Sequence, residues 1–108
     1  MISPNVNIYT IIVTYNGMQW VDACFGSLRR STVPLHTVVV DNGSTDGTPQ
    51  RIAERFPEVH LIRSDENLGF GRGNNAGIRY ALGQGATHFF LLNQDAWIYP
   101  DTVERLLG

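Results

Sequence analysis

The chain has 108 residues, 43% of them hydrophobic and 17% charged, with a formal net charge of −2. A chain of this size makes one globular domain, residues 1–108, with a modest core. Its charge excludes a basic field able to draw nucleic acid or an anionic membrane, so an anionic ligand must be met by a metal, a helix N-terminus or single side chains.

The N-terminus, Met1-Ile2-Ser3-Pro4-Asn5, has no basic region followed by an apolar stretch, so no signal peptide is expected. No apolar run is long enough to span a bilayer. Ile8-Tyr9-Thr10-Ile11-Ile12-Val13 is β-branched and nearly continuous, which predicts a first strand. Trp20, Val21, Cys24, Phe25 and Leu28 then form one helical stripe. Cys24 is the single cysteine, so no intrachain disulfide can form, which fits a reducing compartment. On the apolar side of its helix, it reads as a small core residue rather than a reactive thiol.

His36-Thr37-Val38-Val39-Val40 predicts the second strand. The second helix takes Thr48 as N-cap and Pro49 in its first turn, presents Ile52, Ala53 and Phe56, and stops at Pro57. Val59-His60-Leu61-Ile62 is the third strand. A third helix runs from about residue 73 to residue 82, its apolar side led by Ile78, Ala81 and Leu82. His88-Phe89-Phe90-Leu91-Leu92 is the fourth strand, and a fourth helix begins near Pro100 and is cut off after Leu107-Gly108.

The alternation βαβαβαβα predicts an α/β fold, with a Rossmann-like, mostly parallel sheet, right-handed crossovers and helices on both faces. Continuous rather than alternating apolar strands predict a sheet covered on both sides. The stop inside or just after a helix leads us to expect a truncated domain.

Ligands of open α/β sheets bind outside the carboxyl ends of the strands. Here those ends are polar and glycine-rich: Thr14-Tyr15-Asn16-Gly17, then Asp41 to Gly47, Ser64 to Gly71, and Asn93-Gln94-Asp95. Asp41 can accept hydrogen bonds from a ligand, or cap its own turn with Asn42 and Ser44. Asp46 reads as serving the turn or the next helix. Asp95 can hold a hard divalent cation, which takes one or two carboxylates plus ligand phosphates, or it can cap a turn before Pro100. Gly71-Arg72-Gly73-Asn74-Asn75-Ala76 matches G-x-G-x-x-A, with an acid about twenty residues on. The long loop before it and the acidic Asp65-Glu66 argue against a dinucleotide fingerprint. These glycines read instead as letting backbone approach a ligand, while Arg72 either meets a phosphate or lies on an exposed helix surface. His36, His60 and His88 share no ligand spacing and read as structural.

These blocks, in this order, resemble the family-2 glycosyltransferases, whose N-terminal half has the GT-A fold. The residues that carry the resemblance are Ile11 to Asn16, Val38 to Thr48, Asn67 to Gly77 and Leu91 to Ala96, with Pro100-Asp101 after. The second and fourth blocks are the specific ones. The resemblance implies that Thr14, Tyr15 and Asn16 border the nucleotide and that Asp41 accepts from N3–H of uracil or thymine. It implies that the stretch containing Gly69, Arg72 and Asn75 closes over the nucleotide. Asp95 stands as the last acid of the DxD element, holding Mg2+ or Mn2+ on the diphosphate. Asn93 replaces the first DxD acid, the N-x-D-A form of rhamnosyltransferase-like members, and would bond ribose or a metal-bound water. The expected activity is inverting transfer from a UDP- or dTDP-sugar to a saccharide or lipid-linked acceptor. The general base and acceptor half are expected beyond residue 108, so no catalytic base is assigned here. A cytoplasmic place is expected, with peripheral work at the inner membrane face left open. Self-association through an uncovered apolar sheet face is left open too. The rival readings are a dinucleotide-binding domain of an oxidoreductase and a non-catalytic fragment.

Overall fold

The apolar runs order themselves into a single sheet. In the computed structural model, which describes residues 5–108, the chain runs β1 (Ile8–Thr14), α1 (Val21–Arg29), β2 (His36–Asn42), α2 (Thr48–Arg55), β3 (His60–Ser64), α3 (Phe70–Gly83), β4 (His88–Leu91) and α4 (Thr102–Leu106), with a 3-10 turn, Met18–Trp20, before α1. Met1 to Pro4, part of the segment read above for a leader pattern, lie outside the described residues. The strands are all parallel, in the order β3-β2-β1-β4. Among the described residues no helix is long and apolar enough to cross a membrane.

Every residue of β1 is buried, as a continuous apolar run predicts for a central strand. Odd and even positions feed two layers. Ile8, Ile12 and Val39 pack with Val21, Cys24, Phe25 and Leu28 of α1, Ile52 of α2 and Val103 of α4. Tyr9, Ile11 and Val38 pack on the other face with Ala81 and Ile78 of α3. Thr10 is fully buried, and among the described residues its Oγ1 has no hydrogen-bond partner.

The strand ends and helix starts differ from the sequence reading in ways that matter. β2 runs on through Asp41 and Asn42, because their register partners Arg63 and Ser64 continue the ladder with β3. Gly47, at φ 89°, takes the cap position of α2 instead of Thr48. Thr48 is buried, its hydroxyl receiving the Gly17 N–H and donating to Asp46. Ala53 is exposed rather than packed. Helix α3 starts at Phe70, so Gly71 and Gly73 lie inside its first turn. Its packed face is the small stripe Gly73, Gly77 and Ala81, and Leu82 is 57% exposed. A Cβ on Gly77 would stand 2.6 Å from Ile11 Cγ2, and one on Gly73 3.0 Å from Val13 Cγ2. Gly73 and Gly77 bring α3 down onto β1, which corrects the reading of Gly73 as letting backbone approach a ligand, while a Cβ on Gly71 would meet open space. The sheet is covered on both faces only in its middle: Phe89 and Leu91 of β4 remain exposed.

Chain order along the sheet reverses between β3 and β4. The crevice between the carboxyl ends of β1 and β4 is therefore the topological switch point, where such folds hold their ligands.

Candidate functional site

At the β1–β2 side of this edge, two loops are stitched together by polar groups. Asp41 is 2% exposed. Its Oδ1 accepts from Thr14 Oγ1 at 2.7 Å and Ser44 Oγ at 2.6 Å, and its Oδ2 accepts from Ser44 N at 2.9 Å. Asn16 sits at φ 46°, in the left-handed region that asparagine tolerates. Its N–H donates to Ser44 Oγ at 2.8 Å, and its Oδ1 accepts from Thr45 N at 2.8 Å. Met18 N donates to Asp46 Oδ2 at 3.1 Å, and Thr48 N to Asp46 Oδ1 at 3.0 Å. Partial burial pushes the Asp46 carboxyl up, but bonds from the Thr48 hydroxyl and the Met18 and Thr48 N–H groups outweigh it and hold the carboxyl below the usual range. The turn role open to Asp41 is thus present. Thr14 is 1% exposed, so its hydroxyl reaches a ligand only through Asp41.

Across the switch point the β4 loop is differently made. Asp95 is exposed, and among the described residues its carboxylate has no hydrogen-bond or ion-pair partner. The turn-capping alternative is therefore not built. Asn93 is exposed, its carbonyl accepting from Ala96 N at 3.0 Å. Between them, Gln94 accepts from Tyr15 N at 3.0 Å and donates to Tyr15 O at 3.1 Å. The Tyr15 side chain stays 47% exposed. Beneath lies Cys24, fully buried. Burial, with the Asp95 charge adding to it, pushes its thiol up to about 12, so it is an inert core residue at neutral pH.

The third wall is the start of α3. Gly69, at φ 82°, is its cap residue. The Asn42 side chain holds this turn from β2: Nδ2 donates to Gly69 O at 3.2 Å, and Oδ1 accepts from Leu68 N at 3.3 Å. Arg72 and Asn75 are exposed on the helix's first turns, and a Cβ on Gly71 would meet open space. Because Gly71 and Gly73 lie within a helix rather than in a tight strand–helix turn, the dinucleotide reading loses its basis.

Among the described residues no group of three His, Cys, Asp or Glu can hold a metal. A lone unpartnered carboxylate suits a hard cation that keeps waters and takes its remaining ligands from phosphates. His36 stacks on Tyr9 at 4.7 Å and His60 on Tyr80 at 3.8 Å, both lining a cavity of about 290 Å³ near the amino ends of the strands, away from this edge. Sequence reasoning named Asn42 and Ser44 only as helpers of the Asp41 turn and passed over Gln94 and Gly17 as site-builders. Ser44 and Asn42 had a signal in their turn composition; Gln94 had none.

Residues 9–108 match the family described as Glycosyl transferase family 2. The chain is 34% identical over 103 residues to dTDP-rhamnosyl transferase RfbF of Shigella flexneri, covering 94% of this chain and 34% of that one. It is 39% identical over 66 residues to the N-acetylglucosaminyl-diphospho-decaprenol L-rhamnosyltransferase of Mycobacterium tuberculosis, covering 60% of this chain and 22% of that one. The solved structure of mannosyltransferase PcManGT from Pyrobaculum calidifontis in complex with GDP-Man and Mn2+ superposes with a TM-score of 0.79 at 28% identity, covering 94% of this chain and 31% of that one. The matched part of the chain thus spans between 22% and 34% of the length of these relatives.

Proposed function

Because this chain belongs to glycosyl transferase family 2, we propose that it is the N-terminal, nucleotide-sugar-binding part of a GT-A domain. The acceptor half and the general base are then supplied by chain beyond residue 108. The observation that carries this reading is the unpartnered, exposed Asp95 at the switch point, opposite a rim rigid enough to seat a nucleotide.

In this reading Asp95 binds Mg2+ or Mn2+ on the donor's diphosphate, and Asn93 bonds the ribose or a metal-bound water. The bound ion would supply Lewis-acid stabilisation of the departing nucleoside diphosphate. Tyr15 offers a ring beside the base. An ionised carboxylate has about four lone-pair sites, and three of Asp41's are taken, which leaves one acceptor site for a base N–H. Gly69, Arg72 and Asn75 border the phosphates at the α3 start. The rhamnosyltransferase names of the relatives favour a dTDP-sugar as donor and a lipid-linked acceptor. Inversion follows from direct displacement once the base is present, so this chain by itself binds donor without turning it over.

Titration calorimetry with dTDP and UDP, with and without Mn2+, tests the proposal. Wild type is expected to bind either nucleotide more tightly with Mn2+, and Asp95→Ala is expected to lose that gain. Undiminished Mn2+-dependent binding by Asp95→Ala would sink the metal role.

A further inference from the structure

The β1–β4 ladder stops short of the site. Its last register pair is Ile11 with Leu91, and its last bond runs from Leu92 N to Ile11 O at 3.1 Å. Beyond it, no main-chain bond between the described residues ties the β4 loop to the end of β1. What spans the gap is the Gln94 carboxamide, which accepts from Tyr15 N and donates to Tyr15 O. A carboxamide has the same donor and acceptor set as a peptide group, so one side chain continues the ladder where the backbones part. Gly17 leaves the space it needs: a Cβ there would overlap the carboxamide, standing 2.8 Å from Gln94 Cδ.

We propose that Gln94 is a positioning residue, which fixes Asp95 relative to the Tyr15 loop. The inference rests on reading this edge as the donor site. A metal site with one protein carboxylate has no second ligand to define its geometry. The position of Asp95 must then come from its backbone, and that backbone is anchored one residue away by Gln94. Because both bonds go to main-chain groups, the brace is indifferent to the Tyr15 ring, which stays free for a base.

The test uses Gln94→Ala, Gly17→Ala and the double variant, read by dTDP calorimetry with and without Mn2+ and by thermal melting. Gln94→Ala is expected to cut the Mn2+-dependent gain in dTDP affinity about tenfold, the scale of one or two lost hydrogen bonds. Metal-free dTDP binding is expected to change much less, a split that a general loss of structure would not produce. Gly17→Ala is expected to reproduce the loss by displacing the carboxamide, yet to add nothing in the Gln94→Ala background. Full retention of the Mn2+ gain in Gln94→Ala, or additive losses in the double variant, overturns the proposal. If wild type binds no dTDP at any Mn2+ concentration, the donor-site reading fails instead. Melting then decides the brace alone, and additive shifts from the two substitutions overturn it.

Discussion

Asp41, near the end of β2, and Asp95, past the end of β4, lie on the same sheet edge, and their surroundings are opposite. Asp41 is buried and accepts from Thr14 and twice from Ser44, while Asp95 is exposed and unpartnered among the described residues. What separates them is the chain that follows. Asp41 has a hydroxyl three residues on and another directly across the ladder in Thr14. Asp95 is followed by Ala96, Trp97 and Ile98, none of whose side chains bonds to it. A carboxylate with internal donors becomes part of the scaffold; one without them remains available to a cation.

The sharpest break of this comparison is Asp41→Ala. It would leave the Thr14 hydroxyl and the Ser44 groups without their acceptor, and the expected loss is about 2–4 kcal/mol in denaturant unfolding. A loss no larger than that of a surface substitution would mean that the rim is not wired as described. Thr14→Val keeps the strand packing and removes one donor. Its expected cost is about 1–2 kcal/mol, because Ser44 still serves the same oxygen.

A smaller effect separates the rims by pH. Asp46 has its carboxyl held below the ordinary value by Thr48 and Met18. Its contribution is present above the unfolded value, about 3.9, and is lost as pH falls through the lower folded value. The group is exposed, so solvent screening keeps the effect well under about 1 kcal/mol. The stability gap between wild type and Asp46→Asn is expected to shrink from pH 7 to pH 3 in urea titrations. A constant gap would show that the charge of Asp46 contributes nothing.

Much of this architecture was legible in the residues. The βαβαβαβα order, the parallel sheet and the placing of Asp41 and Asp95 at strand ends follow from apolar runs that end in polar, glycine-rich loops. Boundaries were less legible because long-range partners decide them: Asp41 and Asn42 join β2 through their pairing with Arg63 and Ser64. Leu82 misled for a related reason, since Gly73 and Gly77 look like breakers in sequence but are the packed face of α3. The wiring of the site was hidden, because Gln94 meets Tyr15 across 79 residues through main-chain atoms that have no residue type to read. An uncovered apolar sheet face was foreseen, but not that β4 carries it, since an apolar strand does not announce which side lacks a cover.

The smallest expected effect on stability is also the most discriminating. Asp95→Ala removes an exposed carboxylate with no described partner, so unfolding free energy is expected to move by no more than about 0.5 kcal/mol. Relief of its charge next to the Cys24 thiol is expected to lower that group's pKa slightly from about 12, leaving the buried thiol unreactive to alkylating reagents at pH 8. The same substitution is expected to abolish Mn2+-dependent nucleotide binding. Asp41→Ala, in contrast, should lose stability first and binding as a consequence. If Asp95→Ala instead destabilises the fold as much as Asp41→Ala, Asp95 has a structural partner, and the division of the edge into a braced rim and a ligand-facing rim fails.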